Sequence, residues 1–254
     1  MSILISGKIT AFVLFTLIVI TIAYLSFQGT RGRKYNLKRK LEAIEAIPEA
    51  IGRAVELNRP IHYTPGSEST TGGRGTQTWM GIVIGGYVTK ICAKLGAKIT
   101  WSVRAEHLPM AREIYREAFL LEGQIGVEPD VRYYGAFAVG CIETMATDKS
   151  AVNILFGGFG SELPQIAEAA ARLGCFQIGG SSNPPMVPLV VASCDYSLIG
   201  EENFAAGAIL SENHVQLGGL VALDIIKVCF TSLIVLGSLL ISANITALID
   251  ILKI

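Results

Sequence analysis

Ala151-Val152-Asn153-Ile154-Leu155-Phe156-Gly157-Gly158 is a short β-branched and aromatic run that stops at a pair of glycines. A brief, almost wholly apolar run bounded by turn residues reads as a buried strand. Strands of a parallel sheet have this character because helices cover both faces. Downstream, Leu163–Leu173 predicts an alanine-rich helix closed by Gly174, a residue suited to the position just past a helix end. Phe176–Ile178 then predicts a strand followed by Gly179-Gly180, and Leu189–Cys194 (LVVASC) another strand. Phe204–Leu210 predicts a short helix.

The same alternation lies upstream. Ile61–Thr64 predicts a strand stopped by Pro65-Gly66, and Lys98–Val103 and Val131–Tyr134 predict two more. Between them, Trp79–Leu95, Pro109–Leu121 and Ala136–Thr147 predict helices. Trp79–Leu95 is apolar almost all round, as a buried helix is. Its apolar part ends at Lys90, short of the roughly 20 residues of a membrane span, so it belongs to the core. Gly81 and Gly85 on it would permit close packing. Strands alternating with helices imply right-handed crossovers and a parallel sheet. The expected fold is α/β, a doubly wound, mostly parallel sheet of Rossmann-like or flavodoxin-like kind.

Both ends of the chain differ from this middle. Ile9 to Thr30 carries no charge, and Arg31–Lys40 (RGRKYNLKRK) follows directly. The run is longer than the apolar core of a signal peptide and no A-x-A site precedes the collar, so an uncleaved transmembrane helix is expected. The basic collar would face the cytoplasm, placing the next domain inside the cell. From Lys38 to Leu57, apolar residues at Leu41, Ile44, Ile47, Ile51 and Val55 recur with helical period. Two amphipathic neck helices divided at Pro48 are expected there. Val228–Ile249 is again uncharged and predicts a second span; an interfacial helix or hairpin over Leu217–Ile254 is the alternative, since Asn244 interrupts the run. The implied organisation is an N-terminal transmembrane helix over 1–30, collar and neck over 31–58, a cytoplasmic α/β domain over 59–217, and a C-terminal transmembrane helix with a short tail over 218–254.

Composition agrees. Of 254 residues, 51% are hydrophobic and 17% charged, against roughly 25% charged in a typical soluble protein. The net charge of zero gives no reason to expect nucleic acid as a partner. Cys92, Cys141, Cys175, Cys194 and Cys229 are scattered, without metal or disulfide spacing, and are expected to be small buried side chains.

In open parallel sheets ligands bind beyond the carboxyl ends of the strands. The candidate residues there are Gly66, Gly72, Gly73 and Arg74 in the first loop, then Arg104, Glu106 and His107, then Gly157 and Gly158, then Gly179, Gly180 and Ser181, and Asp195. Glycines that allow close approach and amides at helix starts would suit an anionic small molecule. Plain turn chemistry is the preferred reading of the same loops. GSESTTGGRGTQT (66–78) has neither a Lys-Ser or Lys-Thr pair nor GxGxxG spacing. His107 could act in acid–base chemistry beside Arg104 and Glu106, though a solvated first-turn residue is the preferred reading. His62 within a strand is expected to be packed or at an edge, and Asp195 to cap a turn. No catalytic constellation or metal cluster is legible, and no cofactor can be named.

Three stretches, GRAVELNRPIHYTPG (52–66), REAFLLEG (116–123) and CDYSLIGEENFAAGAILS (194–211), resemble an uncharacterised prokaryotic membrane-anchored family, domain of unknown function 6754. The resemblance spans Ala50 to about Lys227 and implies the same anchored α/β layout without an activity. The expected function is therefore a module at the bilayer that self-associates or scaffolds partners and is not an enzyme. A sensor or enzyme for a nucleotide or other small anion is the alternative. A transporter or channel subunit, using Asn244, Asp224 and Lys227, is the third.

Overall fold

The computed structural model describes residues 9–35, 40–73 and 75–242. They fall into two units, Arg39–Ser211 and Met1–Lys38 with Glu212–Ile254. The first unit is the α/β domain. Its strands are β1 (Ile61–Gly66), β2 (Ile99–Val103), β3 (Val131–Tyr133), β4 (Val152–Gly158), β5 (Phe176–Ser181) and β6 (Tyr196–Ile199). All neighbours pair in parallel, in the order β3-β2-β1-β4-β5-β6. The chain reverses its direction of winding between β1 and β4, so the sheet is doubly wound, as expected.

Helices cover both faces. α2 (Glu42–Glu56), α3 (Gly75–Leu95), α4 (Leu108–Leu121) and α8 (Glu201–Leu210) lie on one. α5 (Phe137–Asp148), α6 (Leu163–Arg172) and α7 (Val187–Ser193) lie on the other. α3 is the buried core helix that its composition required. It sits on β1 and β4, and two glycines let it come close. A Cβ on Gly81 would stand 2.1 Å from the Phe156 carbonyl oxygen, and one on Gly85 2.3 Å from the Trp101 ring. Tyr63 and Trp101 fill the space beneath, their ring centroids 4.6 Å apart. Trp101 Nε1 donates to Thr89 Oγ1 at 2.9 Å, and the Tyr63 hydroxyl donates to the Gly81 carbonyl.

Two elements depart from expectation. α2 runs as one helix through Pro48, and instead of forming a neck it buries Ile44, Ile47, Ala50, Ile51 and Ala54 against the sheet. Burial of that stripe outweighs the one backbone hydrogen bond that proline removes. Leu189–Cys194 is not a strand: Val187–Ser193 is the helix α7, and the sixth strand begins later, at Tyr196. Pro188 accounts for the difference. It suits the first turn of a helix and has no N–H to give a sheet ladder.

In the other unit, α1 (Ile9–Thr30) packs on α9 (His214–Ser242). Small residues set the approach: a Cβ on Gly29 would lie 2.4 Å from the His214 carbonyl oxygen, and one on Gly218 2.6 Å from that of Leu25. Tyr35 donates its hydroxyl to the Leu25 carbonyl at 2.9 Å. Ala11–Thr30 and His214–Leu240 are each long and apolar enough to cross a membrane. α9 thus starts well before the uncharged run at Val228; Asn244 and the expected end of that span lie outside the described residues.

Candidate functional site

The winding reversal brings the carboxyl ends of β1 and β4 together, and here three of the candidate glycines have work to do. The ladder slips between Thr64 and Gly66, and Gly66 has φ +89°. A Cβ there would stand 2.0 Å from the Gly158 carbonyl oxygen. Gly157, at φ +142°, is held as tightly by the Pro65 carbonyl oxygen, also 2.0 Å from a would-be Cβ. At Gly66 and Gly157 the missing side chain lets the neighbouring strand's carbonyl come close. Ser67 N and Glu68 N both donate to the Gly158 carbonyl, at 2.9 and 3.1 Å. Amides that could have cradled a phosphate are spent inside the protein.

The side chains at this edge are mostly acidic. Glu162 accepts from the Ser67 hydroxyl and from Gly160 N (2.9 Å). A Cβ on Gly160 would lie 3.1 Å from Glu162 Oε2 and 3.7 Å from Glu68 Oε1, so two carboxylates flank that glycine. Glu106 accepts from the Ser69 hydroxyl at 3.3 Å. Arg104 donates to the Ser67 carbonyl at 3.2 Å. The structure thus gathers Gly66, Arg104, Glu106, His107, Gly157 and Gly158 at one edge of the sheet. Gly72 and Gly73 lie in the same first loop, before α3, with open space at Gly73. Arg74 lies outside the described residues.

His107 is not the solvated residue expected of it: its side chain is 0% exposed. Its Nε2 stands 3.2 Å from Glu106 Oε1, and neither buried ring nitrogen has a partner in good hydrogen-bond geometry. Burial lowers its pKa, the Glu106 carboxylate opposing and the Arg104 guanidinium reinforcing that shift.

Gly179, Gly180 and Ser181, at the end of β5, are packing positions. Cβ atoms on the two glycines would meet Cys194 Sγ and Phe156 Cδ1, each at 2.8 Å. Ser181 is buried and its hydroxyl accepts from Asn183 N at 3.2 Å. Asp195 stands at the opposite, amino end of the sheet. It precedes β6 instead of following a strand, and Oδ2 accepts from Gln177 N at 2.7 Å. The misplaced strand put it on the wrong edge.

A polar row across the middle of the sheet went unread. His62 stands in register with Thr100 and Asn153, and Asn153 with Gln177. His62 Nδ1 bonds Asn153 Oδ1 at 2.8 Å, and Nε2 bonds Ser102 Oγ at 2.9 Å. Asn153 Nδ2 donates to Gln177 Oε1 at 3.2 Å, whose Nε2 donates to the Ala167 and Ser193 carbonyls at 3.0 and 3.1 Å. Thr100 donates to Asp130 Oδ2 at 2.9 Å. Burial pushes the His62 pKa down to about 4, against the Asn153 hydrogen bond and the Asp148 charge. The available signal was the polar residues His62, Thr100, Ser102, Asn153 and Gln177 set inside mostly apolar strands.

Buried cysteines are held as thiols. Burial pushes the Cys141 thiol up to about 12 and Cys194 to about 11, so both stay protonated near neutrality. Cys92, Cys141 and Cys175 are buried as expected, while Cys194 is half-buried and Cys229 exposed. Among the described residues no group of three or more His, Cys, Asp or Glu could hold a metal ion.

Fold and site together define a doubly wound α/β protein whose switch-point edge is closed by its own backbone, accompanied by two helices apolar enough to span a membrane. The chain belongs to the family described as a domain of unknown function (DUF6754), which matches residues 1–252. No curated protein and no solved structure matches the chain.

Proposed function

We propose that this protein is a membrane-held cytoplasmic α/β module that acts by self-association or by scaffolding partners, not by binding a small anion at its glycine loops. The observation that carries this reading is the closure of the β1–β4 edge, where Ser67 N and Glu68 N both donate to the Gly158 carbonyl. Glu68, Glu106 and Glu162 at that edge would also repel a phosphate. The apolar helices α1 and α9 and the cations Arg31, Arg33 and Lys34 support a bilayer location with the domain on the cytoplasmic side.

The test uses the full chain in mild detergent or lipid nanodiscs. Mass photometry is expected to give an oligomer, and millimolar ATP, NAD or inorganic phosphate to leave the melting temperature unchanged. A ligand-induced rise that Arg104→Ala abolishes would overturn the reading in favour of an anion sensor. One observation favours that second reading: His107, buried beside Glu106, with neither ring nitrogen hydrogen-bonded.

A further inference from the structure

The two edges of the sheet are built differently. β3 is a three-residue strand, and Arg132 on it pairs with Asp130 at 2.8 Å and Asp148 at 3.0 Å. Short length and charge are how sheets guard an edge against pairing. β6, at the other end of the order, is also short at four residues, but it carries no charged side chain. Tyr196 is 40% and Ile199 43% exposed. Beside it, α7 (VPLVVAS) has no charged residue and buries only Val190, leaving Leu189 36% and Val191 50% exposed. An all-apolar helix is ordinarily covered on every side. One that lies open beside exposed strand side chains is the kind of patch that marks an interaction site.

We propose that the β6 edge and the exposed side of α7 form the contact between two copies of this chain. This deepens the self-association reading and rests on it. Charge selects the occupant. From Gly174 to Gly200 the only charged residue is Asp195, whose carboxylate is engaged by Gln177 N. A lipid surface would call for lysine or arginine here, and there is none. A second copy brings the same patch with its single carboxylate, and with Ser197 at the dyad each Asp195 would lie opposite an uncharged residue, so a two-fold contact sets no like charges directly against each other. An edge strand also complements itself: turned about a dyad it presents acceptors to its own donors as an antiparallel pair. The Glu49–Arg53 ion pair of α2 lies beside Phe176 and Tyr196 and would form part of a polar rim. For side chains to keep their faces across the dyad, a residue must oppose its own copy, Ser197 or Leu198. Leu198 is buried, so Ser197 is the one to probe.

The test introduces Ser197→Cys into full-length protein carrying Cys229→Ser, in nanodiscs, with Cys229→Ser alone as control. Opposed β-carbons in an antiparallel pair lie roughly 4.5–5.5 Å apart, within disulfide reach. Mild oxidation is expected to give a covalent dimer with Ser197→Cys and none with the control. Val191→Asp with Ile199→Lys is expected to weaken the dimer roughly tenfold or more while the melting transition persists. An oligomer that Ser197→Cys fails to cross-link and that the charged pair leaves intact would overturn this surface and leave self-association standing. A protein that is monomeric in nanodiscs at micromolar concentration would overturn both. If the charged pair fails to fold, the cross-link decides alone.

Discussion

At the scale of the residue, His62 ties the protein's stability to pH. Its folded pKa of about 4 lies below the ordinary 6.5 because the buried ring is held neutral between Asn153 and Ser102. The unfolded chain therefore binds the extra proton first as pH falls. Stability from this group is fully present above about pH 6.5 and is lost progressively towards pH 4, on the order of 3 kcal/mol in all. The melting temperature is expected to be flat near neutrality and to fall across that window. His62→Gln should melt lower at pH 7 but with a shallower fall, and the difference between the two profiles isolates the histidine from the carboxylates. Glycines give a second contrast. Gly85→Ala drives a methyl into the Trp101 and Tyr63 rings and should cost about 1–3 kcal/mol. Gly52→Ala, in α2 with nothing within 4 Å of its Cβ, should stabilise by about 0.5–1 kcal/mol. Urea midpoints of the two variants check both signs.

Among the elements, the buried polar row gives the strands β2, β1, β4 and β5 a reason to pair in one register. A slip by one residue would point every member at the opposite, apolar face. Asn153→Ala removes the partner of both His62 Nδ1 and Gln177 Oε1 and leaves two buried groups unsatisfied. It is expected to cost about 2–4 kcal/mol, more than a surface Asn→Ala, and to speed amide exchange in β1 and β5 together. A loss confined to β4 would refute the shared role. The helix α7 teaches the opposite lesson. Its composition, LVVAS, is that of a buried strand, but Pro188 and the burial of Val190 alone make it a short exposed helix.

For the molecule as a whole, the apolar helices α1 and α9 make a simple extraction test decisive. Alkaline carbonate is expected to leave the full chain with the membrane pellet, and mild detergent to release it. Release by carbonate alone would refute the membrane-spanning reading. In a background lacking Cys194 and Cys229, a cysteine at Ser69 should react with a membrane-impermeant maleimide only after the cells are opened. Replacing Arg31, Arg33 and Lys34 with neutral residues should make part of the population reactive in intact cells, since in the proposed topology those cations would set the orientation.

The sequence by itself determined the alternation of strands and helices, the buried character of α3 with its two packing glycines, and the charge-free segments at both ends. Each rests on local pattern: period, turn residues and apolar run length. Tertiary structure alone decided the strand order, the joining of β1 to β4 through Gly66, Gly157 and Gly158, and the polar row around His62. It also moved Asp195 to the far edge and opened α7 to solvent. The physical reason is that these features depend on partners distant in the chain. A glycine carries no mark of whether it faces a ligand or another strand, and an apolar run does not say which of its sides the rest of the chain will cover.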